Sequence, residues 1–285
     1  MGPDPQDPPE SPAASPVSKV ETGTEKLLLD FPAEAVARLT ISNPDRRNAL
    51  DHEILDAIST TVPRLDSGID VRCLLLTGTD PVFSAGYDIG SIPDESFERD
   101  AEALVAHPFH EALEAVAASP WPTVAAINGH CLGGGLELAV TCDLRIAAEG
   151  ALMGMPPAKL GLIYSHTGIA KFIDVIGSAR TRELFLTGDR FPADRAESFG
   201  LVNRVAPDRD LSVEAVGLAA AIAANAPLSM KGNKKVINAL IANPVIDEEL
   251  ERQLVELRES CFSSEDFREG IRAFGEKRRP DWTGR

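Results

Sequence analysis

The stretches "VRCLLLTG" (71–78), "PTVAAIN" (122–128) and "DLRIAAEG" (143–150) constrain this chain more than any other feature. Each is a nearly continuous apolar run closed by glycine or a polar residue. A strand with one wet face alternates apolar and polar residues, whereas an unbroken run suits a strand covered on both faces, as in a parallel sheet. Glycine-bearing loops and helical stretches separate the runs, so the pattern predicts an α/β architecture.

Around these strands the reading extends in both directions. "KLLLDF" and "AVARLTIS" read as two strands joined by a turn at Pro32 and Ala33. Asp51 can cap a helix running to about Leu65. A helical stretch is expected over Phe97–Ala118 with a kink at Pro108, and another helix from about Gly134. From Leu211 onward every segment is helical and ends at proline or glycine, for example "LSVEAVGLAAAIAANAP" and "SEDFREGIRAFGEKRRP". The opening "MGPDPQDPPESPAASPVSKV" is rich in proline, serine and acid and has almost no bulky apolar residue. Such a segment cannot bury enough surface to offset its ordering entropy. The expected organisation is a disordered tail over 1–22, an α/β core over 23–210 and a helical region over 211–285.

Charge and composition exclude some functions. A net charge of −16 argues against a nucleic-acid or anionic-membrane partner. No apolar run approaches the roughly 20 residues that span a bilayer. The amino-terminal stretch has neither the basic start of a signal peptide nor the arginines of a transit peptide, so a cytoplasmic protein is expected. The four cysteines show no ligand spacing and read as small buried hydrophobes. No metal constellation is visible, and no cofactor is expected.

The chemistry concentrates in two loops. "FSAGYD" (83–88) and "HCLGGGLE" (130–137) each follow a buried strand and contain glycine. Glycine lets a ligand approach the main chain, and a helix start offers unpaired N–H groups. Two such groups aimed at one point would hold a thioester oxygen as it becomes an enolate. Glu137 follows the glycines on a largely apolar face, where a charge is costly unless it is paired or used. Neither loop has the form of a phosphate-binding motif.

These loops, followed by "PPAKLGL" and "LTGDRFPADRAESFGLVNRV", resemble the crotonase (enoyl-CoA hydratase/isomerase) superfamily from about Lys26 to the end of the chain. The resemblance implies a spiral of repeated ββα units, a helical carboxy-terminal trimerisation region and acyl-CoA thioester substrates. It also implies an oxyanion hole from the backbone N–H groups of Tyr87 and Gly134, with Glu137 as a catalytic acid/base. Coenzyme A would enter as part of the substrate. Ser84, Ala85, Gly86, Asp88, Ile89, Gly133 and Pro157 would line its site, Arg46 and Arg47 would face its phosphates, and Phe274 and Lys277 would reach it from the helical tail. The protein would form a homotrimer or a dimer of trimers.

One departure matters. Hydratases of the superfamily carry a second glutamate where this chain has Pro157, and proline cannot ionise. The stretch "LGLIY" is similar to methylmalonyl-CoA decarboxylase, whose tyrosine matches Tyr164; that enzyme's oxyanion loop has histidine in place of Tyr87. Three functions follow: C=C hydration or isomerisation through Glu137, which is the leading one; decarboxylation with Tyr164 as donor; or binding of CoA esters without turnover.

Overall fold

The computed structural model describes residues 21–65, 70–88, 108–243, 245 and 247–285. Residues 1–20 of the expected tail, Ile89, and residues 97–107 of the expected helix lie outside the described residues. Thr22 lies inside them: it is buried, and its hydroxyl donates to the Leu27 and Thr24 carbonyls. The folded part therefore starts at least one residue before the expected boundary.

Strands β1 (Leu27–Ala33) and β2 (Val36–Ile41) form an antiparallel hairpin. The turn falls at Glu34 and Ala35, with Ala35 at φ +56°, rather than at Pro32 and Ala33. Pro32 remains within β1, where the register shifts between Asp30 and Ala33. β1 is an edge strand, so a missing N–H leaves no partner unpaired.

The chain then visits two sheets by turns. β3 (Cys73–Gly78), β5 (Thr123–Ile127) and β7 (Leu144–Ala148) are the three apolar runs. With β10 (Arg204–Ala206) they extend the hairpin into a six-stranded sheet of order β1-β2-β3-β5-β7-β10, parallel throughout except for β1. After each run comes a three-residue strand: β4 (Val82–Ser84), β6 (His130–Leu132) and β8 (Leu152–Gly154). These pair with one another, and β9 (Arg190–Pro192) closes a second sheet of order β4-β6-β8-β9. This alternation realises the repeated ββα plan. The second sheet escapes the periodicity reading because three residues are too few to show a period.

Ten α-helices and a 3-10 turn at Pro44–Arg46 complete the described residues: α1 (His52–Arg64), α2 (His110–Ala118), α3 (Gly134–Thr141), α4 (Pro157–Leu160), α5 (His166–Thr187), α6 (Ala193–Ser198), α7 (Leu211–Ala223), α8 (Pro227–Ala242), α9 (Glu248–Phe262) and α10 (Glu265–Glu276). Asp51 caps α1 by accepting from the Ile54 N–H at 2.9 Å. α5 is a 22-residue helix that the sequence reading did not place, and it bends at Gly177. Leu211, Ala215, Ala219 and Ala223 recur every fourth residue on α7 and are buried against the large sheet. Small side chains in one stripe let a helix approach closely. α7, which begins at Leu211 where the helical region was expected, thus packs in the sheet layer.

One ionic clasp ties α8 to the sheet. The Lys234 ammonium donates to Asp143 Oδ2 at 2.7 Å and to the Trp121 carbonyl at 2.9 Å. Asp143 in turn accepts from the Thr123 N–H and hydroxyl at 2.7 and 3.0 Å. Asp143 therefore orders the turn between α3 and β7.

Candidate active site

Loop 83–88 and the start of α3 meet at the junction of the two sheets. The Leu50 N–H donates to the Gly86 carbonyl, and the Asp88 N–H to the Leu50 carbonyl. That pattern is one parallel bridge between Leu50 and Tyr87. In such a bridge the N–H of the central residue points away from its partner strand. The Tyr87 N–H thus faces away from Leu50, and among the described residues it has no hydrogen-bond acceptor.

Gly134 is the first residue of α3, where no intrahelical acceptor exists, and its N–H likewise has no partner among the described residues. Gly86 at φ +99° and Gly133 at φ +53° supply the backbone turns that bring the loops together. The loops touch: a Cβ on Gly86 would stand 3.3 Å from the Gly134 nitrogen.

One turn into α3, Glu137 is 2% exposed. Tyr164, in the loop before α5, donates its hydroxyl to Glu137 Oε2 at 2.6 Å. Glu137 Oε1 makes no hydrogen bond among the described residues. Tyr164 Oη also lies 3.1 Å from Tyr87 Oη. Burial pushes the Glu137 carboxyl above its ordinary range; the Tyr164 hydrogen bond, then the charges of Lys171 and His110, pull it back. Burial also raises the Tyr164 and Tyr87 hydroxyls, which therefore stay protonated as donors. Lys171, on α5, is lowered by burial and opposed by Glu137 and Glu114. Its ammonium donates to the Thr141 hydroxyl at 3.1 Å.

Of the residues singled out from sequence, the structure gathers Ser84, Gly86, Tyr87, Gly133, Gly134, Glu137 and Tyr164 into one place. Pro157 is buried at the first position of α4, where its fixed φ suits a helix start. Arg46 is engaged by Asp88 through contacts of 2.6 and 3.3 Å, and Arg47 is exposed with its carbonyl accepting the Ala85 N–H. Phe274 is 88% exposed and lines a groove of about 1040 Å³ with Leu228, Val236, Leu254 and Ile271 of α8–α10; Lys277 ends α10.

Sequence reasoning missed Gly168, Lys171, His110 and the side chain of Tyr87. A Cβ at Gly168 would lie 2.7 Å from the Tyr164 ring and 2.9 Å from Glu137 Oε2. Only glycine leaves room for α5 to close over the carboxylate. Nothing local announces this, because it depends on α5 packing against α3.

Two apposed loops with N–H groups that have no acceptor among the described residues thus stand beside a buried carboxylate. The sequence model for "Enoyl-CoA hydratase/isomerase" matches residues 32–285. The chain is 36% identical over 253 residues to the probable enoyl-CoA hydratase echA8 of Mycobacterium bovis, covering 88% of this chain and 96% of that protein. It is 35% identical over 264 residues to the enoyl-CoA isomerase/hydratase fer4 of Mycosarcoma maydis, covering 88% and 93%. The solved structure of an enoyl-CoA hydratase from Bacillus anthracis superposes with a TM-score of 0.84 at 30% identity, covering 92% of this chain and 100% of that one. The chain belongs to the enoyl-CoA hydratase/isomerase family of the crotonase superfamily.

Proposed function

We propose that this protein acts on acyl-CoA thioesters through an enolate, carrying out enoyl-CoA hydratase/isomerase-type C=C chemistry with Glu137 as acid/base. One observation carries this reading: among the described residues, a buried carboxylate has one oxygen bound and the other available, beside two N–H groups without acceptors. The ionised carboxylate takes a proton from carbon, and the electron pair moves onto the thioester oxygen. That oxygen accepts hydrogen bonds from the Tyr87 and Gly134 N–H groups. Returning the proton to a different carbon shifts the double bond, which one carboxylate can accomplish alone. Hydration also needs a group to orient water, and Pro157 supplies none. With Pro157 where hydratases carry a second glutamate, Glu137 suits isomerisation better than hydration.

The Tyr164 geometry weighs against decarboxylation. Its hydroxyl is committed to Glu137. A substrate carboxylate held by the same hydroxyl would stand beside a second negative charge in a poorly solvated site. For the CoA moiety, Arg47 is an available cation, and Arg46 would have to exchange Asp88 for a phosphate. We further propose that the apolar residues Ile237, Phe262, Ile271 and Phe274, exposed on α8–α10, are covered by neighbouring copies in a homotrimer, or in a dimer of trimers.

The test is a panel of crotonyl-CoA, a 3-enoyl-CoA and methylmalonyl-CoA followed by mass spectrometry. Double-bond migration or water addition is expected. Loss of CO₂ from methylmalonyl-CoA alone would replace this reading with decarboxylation, and no turnover of any thioester would leave a binding protein.

A further inference from the structure

The Tyr87 side chain has no role in the chemistry above, yet it ends a hydrogen-bonded chain that begins at the base. An ionised carboxylate can only accept, so the Tyr164 proton is committed to Glu137 Oε2 at 2.6 Å. Across the 3.1 Å contact between the two hydroxyls, Tyr87 must then be the donor and Tyr164 the acceptor. The order is Tyr87 to Tyr164 to Glu137, and each bond polarises the next. The chain is mechanically held at each ring. Tyr87 meets Phe109 edge-on at 4.7 Å and packs over Gly134, while Tyr164 meets Phe185 at 5.6 Å and is closed in by Gly168.

We propose that Tyr164, braced by Tyr87, is a positioning residue: its hydroxyl clamps Glu137 Oε2 so that Oε1 alone faces the thioester. Because Tyr87 also supplies a backbone N–H at the oxyanion position, the brace ties the orientation of the base to the geometry of the oxyanion loop. The role of Oε1 rests on the function proposed above; the clamp itself does not. The clamp also opposes burial in holding Glu137 ionised. The other groups whose charges act on Glu137 are Lys171 on α5 and His110 on α2, with Glu114 of α2 acting on Lys171.

Infrared difference titration of the ligand-free, full-length protein tests the clamp without a substrate. Glu137→Gln identifies the carboxyl band. Tyr164→Phe should move the Glu137 midpoint upward by about one pH unit, the scale of one hydrogen bond to a charge. Tyr87→Phe keeps the ring and the backbone N–H, and should move it the same way by less. Where turnover is measurable, the acid limb of the kcat/KM profile should follow. An unchanged midpoint in folded Tyr164→Phe overturns the clamp, and a shift in that variant with none in Tyr87→Phe overturns the brace. Should Tyr164→Phe fail to fold, Tyr87→Phe alone decides. Shifted midpoints in a protein that turns over no thioester would uphold the clamp and sink the proposed function; normal turnover with unshifted midpoints would do the reverse.

Discussion

The two ends of α3 each carry a buried charge, and the two are treated in opposite ways. At the carboxy-terminal end, Arg145 reaches from β7 and is 4% exposed. Its guanidinium donates to the carbonyls of Leu201 and Cys142 at 2.7 Å and of Val140 at 3.4 Å. A cation there also meets the negative end of the helix dipole. At the amino-terminal end Glu137 enjoys the matching positive end, yet it has one hydrogen bond and one oxygen left over. Arg145 uses its donors to hold α3, β7 and the Leu201 carbonyl together. Glu137 keeps acceptor capacity in reserve. A buried charge bound to three carbonyls is a staple; the one with an oxygen left over, beside N–H groups without acceptors among the described residues, is the group we propose as acid/base.

Breaking the staple should have the largest effect. Arg145→Met leaves carbonyls without a donor and should lower stability by about 3–5 kcal/mol, read as a fall in urea midpoint. Activity per folded molecule should survive; its loss would mean that both ends of α3 serve the chemistry. Next comes Glu137→Gln, which should cut kcat by about 10²-fold or more while the protein remains folded. A wild-type rate in this variant would make Glu137 a second staple. Gly168→Ala forces either the Tyr164 ring or Glu137 to move, and should lower kcat by about one to two decades through misplacement alone. Full activity in the Gly168→Ala variant would show that the carboxylate tolerates displacement.

The smallest effect concerns stability and pH. Burial raises the Glu137 pKa in the folded protein, so the native state binds more protons than the unfolded state between the two pKa values. The carboxylate therefore costs stability, and the cost grows as pH rises from the unfolded carboxyl value through the folded one. Glu137→Gln should thus melt higher than the wild type at neutral pH. The advantage should vanish once pH falls below the unfolded value, when both states are protonated. Melting curves across that range check the sign; an advantage that grew toward acid would contradict the burial argument.

Much of this was readable from residues in a row. The three nearly continuous apolar runs announced parallel strands because burial on both faces leaves little alternation to see. The glycines before Glu137 announced a helix start with free N–H groups, and the carboxylate stood out against its apolar neighbours. Pro157 was legible as a missing acid. Other features were not. The second sheet is built of strands too short to carry a period, and α7, although helical as expected, gave no sign of which sheet its alanine stripe would cover.

The sequence by itself determined the strand-and-loop repeat, the family, and the identity of the one carboxylate at the glycine loop, since each rests on neighbours within a few positions. Tertiary structure alone decided what that carboxylate touches. Tyr87, Glu137 and Tyr164 are separated by dozens of residues and meet only because two sheets bring their loops to one junction. Gly168 matters only because α5 crosses α3 at that point. Hydrogen bonds and steric exclusion act over a few ångströms, and the fold, not the order of residues, decides which groups come within that range.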